Sequence, residues 1–209
     1  MNEIVHIGFS YQEGLPEQIA RDFVDDVTGN GLNVRSKARP AGIYANIEWA
    51  IPTFIVVYVL RPYFEAFLSE AGKDHYAALK RAFLRLLAKI YGKTPEERRK
   101  GRSLVFSIQS ATRDGRSIKF VFPEGVSHET YEQIVGDLFD LLTEHYAEGG
   151  TDRLSEMVSI SSGMGGALYV EYSVNEGEWV LLDPKEEFAN RRKAVPPSGD
   201  DGVDLPDGS

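Results

Sequence analysis

Residues 103–122 read SLVFSIQSATRDGRSIKFVF, in which apolar and polar side chains alternate on both sides of an Asp-Gly pair. Such alternation is typical of half-buried strands, and Asp-Gly between two alternating runs is typical of a tight β-hairpin turn. We therefore predict an antiparallel hairpin that turns through Asp114 and Gly115, with strands over Ser103–Gln109 and Ser117–Phe122.

A second hairpin is predicted nearer the C-terminus. Two further alternating runs, Leu168–Val174 and Trp179–Asp183, flank the turn residues Asn175, Glu176 and Gly177. Glycine readily adopts the positive φ angle that tight hairpin turns require. Two hairpins in one chain predict a sheet that is at least partly antiparallel.

The N-terminal third shows a strand–helix–strand pattern instead. Apolar and polar residues alternate over Glu3–Phe9, and we expect this strand to end at Ser10–Gly14. The alternation of apolar and polar residues resumes over Leu32–Lys37. Between them, Pro16–Thr28 has apolar residues at helical spacing, with proline suited to the first turn and Gly29 suited to the C-terminal stop. This order predicts a β-α-β crossover unit.

An apolar, β-branched run at Phe54–Leu60 has two interpretations. Its shortness and its β-branched content favour a buried strand, which we prefer. The alternative is a buried helix kinked at Pro62, with Ile47–Ala71 forming one element. Further along the chain, helices are predicted over Asp74–Tyr91 and over Ser127–Tyr146, where the serine is the cap.

These elements together predict the fold class. We expect one α/β (α+β) domain over residues 1–184, in which three or more helices pack on a mixed, partly antiparallel sheet. A chain of 209 residues is long enough to bury a core without a metal or a disulfide. From Lys185 the apolar pattern stops, so residues 185–209 are predicted to form a disordered acidic tail.

The composition excludes several kinds of site. The chain has 32 acidic and 23 basic residues, a formal net charge of −9 and no cysteine. Disulfides, thiolate nucleophiles and cysteine-rich zinc sites are therefore impossible. The four histidines have no metal-ligand spacing and no motif indicates a cofactor, so we expect neither, and a small-molecule ligand stays unknown. The N-terminus lacks the features of a secretory signal, which favours a cytoplasmic location.

Charge is distributed unevenly along the chain. Residues 72–103 contain ten basic and three acidic side chains, whereas residues 124–148 contain seven carboxylates and neither lysine nor arginine. On the predicted helix, Arg81, Arg85 and Lys89 recur every four residues and form one stripe. The candidate partner-binding residues are Lys80, Arg81, Arg85, Lys89, Arg98, Arg99, Lys100 and Arg102.

Such a basic cluster has several interpretations. In the first interpretation, the basic residues neutralise the acidic segment within one chain or across a homodimer. In the others, they contact a protein partner, nucleic-acid phosphates or an anionic membrane. Overall acidity argues against nucleic acid. A membrane-associated effector would use the apolar segment 49–68, which reaches spanning length only by burying Arg61 and Glu65. Because no catalytic constellation is evident, we expect a non-catalytic interaction or regulatory protein that binds a protein partner through the basic helix and loop and the acidic helix.

One third of the chain resembles a TIR domain. The features that carry the resemblance are Ile7–Tyr11, the Pro16–Val27 helix, Gly31–Val34, and Phe54–Leu60 followed by a helix. The resemblance implies a flavodoxin-like fold and an alternative function as a nucleotide- or NAD-processing enzyme. Glu70 or Glu65 would then be the helix glutamate that holds the ribose. Enzymatic activity is therefore an open question at the level of sequence.

Overall fold

The computed structural model describes residues 4–40, 53–67, 72–147, 152–160 and 167–182, and the predicted tail over 185–209 lies outside them. Its strands are β1 (Ile7–Gln12), β2 (Val34–Arg39), β3 (Ile55–Val59), β4 (Gly101–Ala111), β5 (Ser117–Glu124), β6 (Ala167–Ser173) and β7 (Glu178–Leu181). They form one mixed sheet in the order β2-β1-β3-β4-β5-β6-β7. The predicted mixed, partly antiparallel sheet is confirmed.

Helices of the described ranges pack on one face of this sheet. They are α1 (Glu17–Thr28), α2 (Arg61–Phe67), α3 (Gly72–Tyr91), α4 (His128–Tyr146) and α5 (Arg153–Ile160). Each contributes apolar side chains to a single buried cluster with the strands. Helix α3 packs against both α1 and α4. The prediction of a single domain with three or more helices is confirmed, although the sequence pattern did not indicate α5.

The N-terminal unit has the predicted crossover topology. β1 and β2 are parallel, with Ile7 opposite Val34, and Phe23 of α1 packs on Phe9 of β1 with ring centroids 4.8 Å apart. The predicted break after Phe9 is wrong, because β1 continues to Gln12. Tyr11 lies 5.4 Å from Phe9, measured between ring centroids, and both neighbouring strands stay paired with β1 at this residue.

The apolar run Phe54–Leu60 forms a central strand, as preferred from its sequence. β3 lies between β1, to which it is antiparallel, and β4, to which it is parallel. Its residues Ile55, Val56, Val57 and Val59 are fully buried. The helical alternative is therefore wrong for residues 55–59, which are buried on both faces as expected for a central strand.

Both predicted hairpins are present. β4 and β5 are antiparallel, and Gly115 in their turn has a φ angle of 86°, which explains the preference for glycine there. β6 and β7 are also antiparallel. In β4 and β5 the strands are longer than predicted, because pairing resumes beyond a bulge and joins Gly101 to Glu124.

The second face of the sheet carries no helix of the described ranges. A small cluster on this face is formed by strand residues and Leu182: Val121, Ala167, Tyr169 and Leu182. Polar residues of β4 and β5 that alternate with core residues are also buried here, with Gln109 7% and Lys119 1% exposed. Alternation alone predicts that these side chains face solvent, so this face is more enclosed than the pattern indicates.

The flavodoxin-like fold implied by the TIR resemblance is wrong. Strands β2-β1-β3-β4-β5 follow the flavodoxin-like order, but that fold has parallel strands and helices on both faces. Here β3 is antiparallel to β1, and β5 is antiparallel to β4. None of the helices in the described ranges combines the length and apolar content that crossing a membrane requires.

Candidate functional site

Much of the basic stripe on α3 contacts α1. Arg85 Nη1 lies 2.6 Å from Asp26 Oδ1, and Lys89 donates a hydrogen bond to the Asp22 carboxylate. That hydrogen bond lowers the pKa of Asp22. Two of the candidate partner-binding residues therefore connect α3 to α1.

Three other candidate residues pair with acidic groups elsewhere in the chain. Lys80 Nζ lies 4.0 Å from Glu132 Oε1 on α4. Arg98 Nη2 lies 3.7 Å from Glu124 Oε2, and its guanidinium carbon lies 5.4 Å from the centre of the Tyr91 ring. Arg102 donates two hydrogen bonds to Glu171, which makes a bidentate pair. The excess of basic residues in this segment is thus partly neutralised within one chain.

The remaining candidates are Arg81, Arg99 and Lys100. All three are exposed, and none has a carboxylate within ion-pair distance among the residues that the structure describes. Arg99 and Lys100 lie together in the segment Arg98–Lys100 before β4, which we call the basic loop. It is the part of the predicted basic surface with two adjacent cations available for a partner.

The α3–α1 contact gives a first prediction. Arg85→Glu places a second carboxylate against Asp26, and we expect the free energy of unfolding to fall by about 1 kcal/mol at low salt. Arg81→Glu is the matched control, since Arg81 is exposed one helical turn earlier and should change stability by less than about 0.5 kcal/mol. Urea unfolding at low and high salt measures both, and equal losses would show that the Arg85 contact does not stabilise the fold.

A cleft of about 860 Å³ lies directly beside the basic loop. Its walls come from Lys100–Arg102, from the end of β5 with the following turn, and from the β6–β7 turn. β5 and β6 are parallel, and their last residues line the cleft. It therefore lies at the carboxyl ends of two parallel strands.

The floor of the cleft combines apolar side chains with one ion pair. Val121 is opposite Glu171, and Glu171 is opposite Val180, so the three side chains share the helix-free face of the sheet. In the bidentate pair, the Arg102 side chain is 33% exposed and the Glu171 side chain is 26% exposed. The positive charge of Arg102 and the negative charge of Glu171 therefore neutralise each other in the floor of the cleft.

Exposed side chains of opposite charge lie on two walls of the cleft rim, and Glu124, which also lines the cleft, is paired with Arg98. Lys100 lies on the wall formed by the basic loop, and Glu176 lies on the β6–β7 turn opposite. Both are exposed, and neither side chain has an ion-pair partner within the described ranges. Val174, two residues before Glu176 in this turn, is 50% exposed although it is apolar. The rim thus offers a cation, an anion and an uncovered apolar surface.

A second cluster contains a serine, a histidine and an aspartate, but its geometry is structural. His145 Nδ1 lies 2.9 Å from Asp152 Oδ1, and His145 Nε2 accepts a hydrogen bond of 3.0 Å from the Arg113 backbone N–H. We infer that Nδ1 carries the proton, since Nε2 acts as an acceptor. Ser155 Oγ donates to Asp152 Oδ2 over 2.6 Å. A base that activates a serine needs an unengaged ring nitrogen facing the hydroxyl, and His145 has none.

Asp152 is the centre of this cluster. Burial alone would raise its pKa, but the hydroxyl and backbone N–H of Ser155 and the hydrogen bond with His145 together lower the pKa to about 2. Arg113 Nη2 also lies 2.5 Å from Asp152 Oδ2. The carboxylate thereby connects the β4–β5 turn, the end of α4 and the start of α5.

The two glutamates that the TIR resemblance suggested, Glu65 and Glu70, are not part of the basic loop. Glu65 lies within α2, and Glu70 lies outside the described residues. In the part of the chain that the structure describes, no three histidine or carboxylate side chains lie close enough to hold a metal ion. Sequence reasoning named Lys100 and Arg102 but missed the cleft, because its walls come from segments far apart in the chain.

Comparisons with protein families, with curated proteins and with solved structures found no match. We therefore base the functional proposal on the basic loop and the cleft beside it.

Proposed function

We propose that the chain is a non-catalytic interaction or regulatory protein that binds an acidic segment of a protein partner through its basic loop. The observation that carries the proposal is the contrast between neighbouring cations. Arg98 and Arg102 are paired with carboxylates of the same chain, whereas Arg99 and Lys100 between them are exposed and have no such partner in the described ranges.

The local charge is effective despite the net charge of the chain. The formal charge of −9 repels an acidic partner at long range, but salt screens exposed charges beyond roughly 8 to 10 Å under physiological conditions. Arg99 and Lys100 therefore attract an acidic group mainly at close approach, although the exposed Glu96 and Glu97 precede them in the chain. The exposed carboxylates of α4, among them Glu129 and Glu144, form a separate anionic surface that suits a basic part of the same partner.

Two observations argue against a serine hydrolase and against a membrane-inserted effector. The serine–histidine–aspartate cluster is engaged in structural hydrogen bonds, so it offers no support for hydrolysis. The apolar segment that a membrane-associated effector would insert contains β3, which is hydrogen bonded in the centre of the sheet. Releasing β3 would break the core, whereas the basic loop is accessible in the folded protein.

The proposal predicts charge-dependent binding of an acidic peptide. The probe is a blocked, fluorescein-labelled peptide of four glutamates followed by serine, glycine, serine and glycine, which we call the serine peptide. Fluorescence anisotropy at low salt should show binding to the native protein, and Arg99→Glu/Lys100→Glu should weaken it by about tenfold or more.

A matched variant separates this effect from net charge. Arg35→Glu/Lys37→Glu makes the same change of charge on β2, an exposed edge strand separated from β4 by β1 and β3. It should bind the serine peptide nearly as well as the native protein. If both double variants lose binding equally, or if the loop variant binds unchanged, the basic loop is not the binding surface.

A further inference from the structure

We infer that the cleft beside the basic loop holds an apolar side chain of the acidic segment, so that the partner carries acidic residues immediately next to an aliphatic or aromatic anchor. This inference rests on the proposed function and specifies the chemistry of the partner. Its starting point is that Lys100 belongs both to the basic loop and to the wall of the cleft.

The interior of the cleft suits an apolar group. Val121, Val126 and Val180 line it together with Pro123, and Val174 at its rim leaves half of its side chain uncovered. Its volume of about 860 Å³ exceeds that of a single side chain and is within the range of ligand sites, roughly 300 to 1,000 Å³. An anchor and the backbone on either side of it can therefore enter.

The charged groups of the floor do not oppose an apolar anchor. Arg102 and Glu171 form a bidentate pair, so each satisfies the other before anything binds. An incoming aliphatic group covers this pair without separating it. The aliphatic part of the Arg102 side chain also provides apolar contact surface.

The rim determines which flank of the anchor is acidic. The flank towards the basic loop meets Lys100 and Arg99, and the flank towards the β6–β7 turn meets Glu176. Acidic residues are attracted to the first wall and repelled by the second. An extended chain fits this arrangement better than a compact molecule, because Arg99 extends the basic surface outside the cleft.

The test compares the serine peptide with a leucine peptide, in which leucine replaces the serine that follows the glutamates. Burial of the leucine side chain should make the leucine peptide bind about tenfold more tightly to the native protein. The cleft variant Val174→Ser/Val180→Ser should remove this difference while keeping the affinity for the serine peptide. The control Leu104→Ser, an apolar residue 54% exposed and absent from the cleft lining, should keep the difference.

The outcomes distinguish the inference from the proposed function. Equal binding of the two peptides to the native protein, with loss of both in the loop variant, overturns the inference and leaves the proposed function standing. A preference for leucine that survives in the cleft variant also overturns it. If neither peptide binds the native protein at millimolar concentration, both the inference and the proposed function fail.

Discussion

Asp152→Ala is expected to lower the free energy of unfolding by about 3 kcal/mol, because it leaves the buried His145 ring N–H and the backbone N–H of Ser155 without their acceptor. Asp152 is 4% exposed and accepts hydrogen bonds from His145, Arg113 and Ser155. The change also removes the side chain that binds the N–H of Ser155 in the first turn of α5. Urea or guanidinium unfolding followed by circular dichroism measures the loss.

A milder variant within the same cluster is the control. Ser155→Ala removes one hydroxyl and leaves the contacts of Asp152 with His145 and Arg113, so we expect a loss of only about 1 kcal/mol. A loss below about 1 kcal/mol for Asp152→Ala would contradict the account of this cluster as the connection between the hairpin and the two helices.

The low pKa of Asp152 adds a pH dependence with a defined sign. A carboxylate whose pKa falls from about 3.9 in the unfolded chain to about 2 in the folded protein stabilises the fold above pH 4. That stabilisation is lost as the pH falls towards 2. The stability difference between the native protein and Asp152→Asn, which cannot titrate, should therefore shrink by about 1 kcal/mol between pH 5 and pH 3. A difference that is constant over this range would contradict the low pKa.

Gly125→Ala is the second change with a large expected effect. Gly125 has a φ angle of 72°, and a Cβ atom there would lie 2.7 Å from the Arg98 carbonyl oxygen and 3.2 Å from the Lys100 Cα. The backbone strain and the clash together should cost about 3 kcal/mol. Thermal or urea unfolding measures the loss. Because the clash is with backbone atoms of the basic loop, the variant should also displace the loop and weaken binding of the serine peptide.

Gly115→Ala separates these two contributions. Gly115 has a φ angle of 86° in the β4–β5 turn, and a Cβ atom there would meet nothing within 4 Å beyond the adjacent residues of the turn. It should lose only about 1 to 2 kcal/mol from strain and should bind the serine peptide normally. Equal losses of stability in the two variants would show that the Gly125 turn does not support the basic loop.

The sequence predicts the local elements of the fold because their signals lie within a few residues. The Asp114-Gly115 turn, the Ser127 cap and the apolar periodicity of α3 and α4 each require only short windows of sequence, and each is found. The β-branched run of β3 also predicts a strand from a short window of sequence. By contrast, α5 is eight residues long with two buried residues, Leu154 and Val158, which is too short for a clear helical period.

The direction of β3 follows from tertiary pairing rather than from local pattern. Its residues Ile55–Val59 would be equally apolar in a parallel or an antiparallel central strand, so the pattern does not exclude the flavodoxin-like arrangement. Similarly, alternation in β5 assigns Lys119 to the polar side, but the residue is buried on the helix-free face. Burial of a strand's second face depends on parts of the chain that are remote in sequence.

The candidate site was only partly predictable for the same reason. Charge counting identifies Arg99 and Lys100 as basic residues, but it does not distinguish them from Lys89, whose partner Asp22 lies 67 residues away in the chain. The cleft brings Arg102 to Glu171 across 69 residues. A single sequence therefore indicates the basic surface, and only the fold separates its paired cations from its unpaired ones.

The central claim is that the basic loop and the adjacent cleft form the binding surface. The most direct test is titration of the ¹⁵N-labelled native protein with the leucine peptide, followed by backbone amide chemical shifts. We expect shifts concentrated at Lys100–Arg102, Gly125 and Asn175, with Arg35 and Lys37 on β2 unchanged. Shifts that are centred on β2 or α1, or that are absent at the basic loop, would contradict the claim.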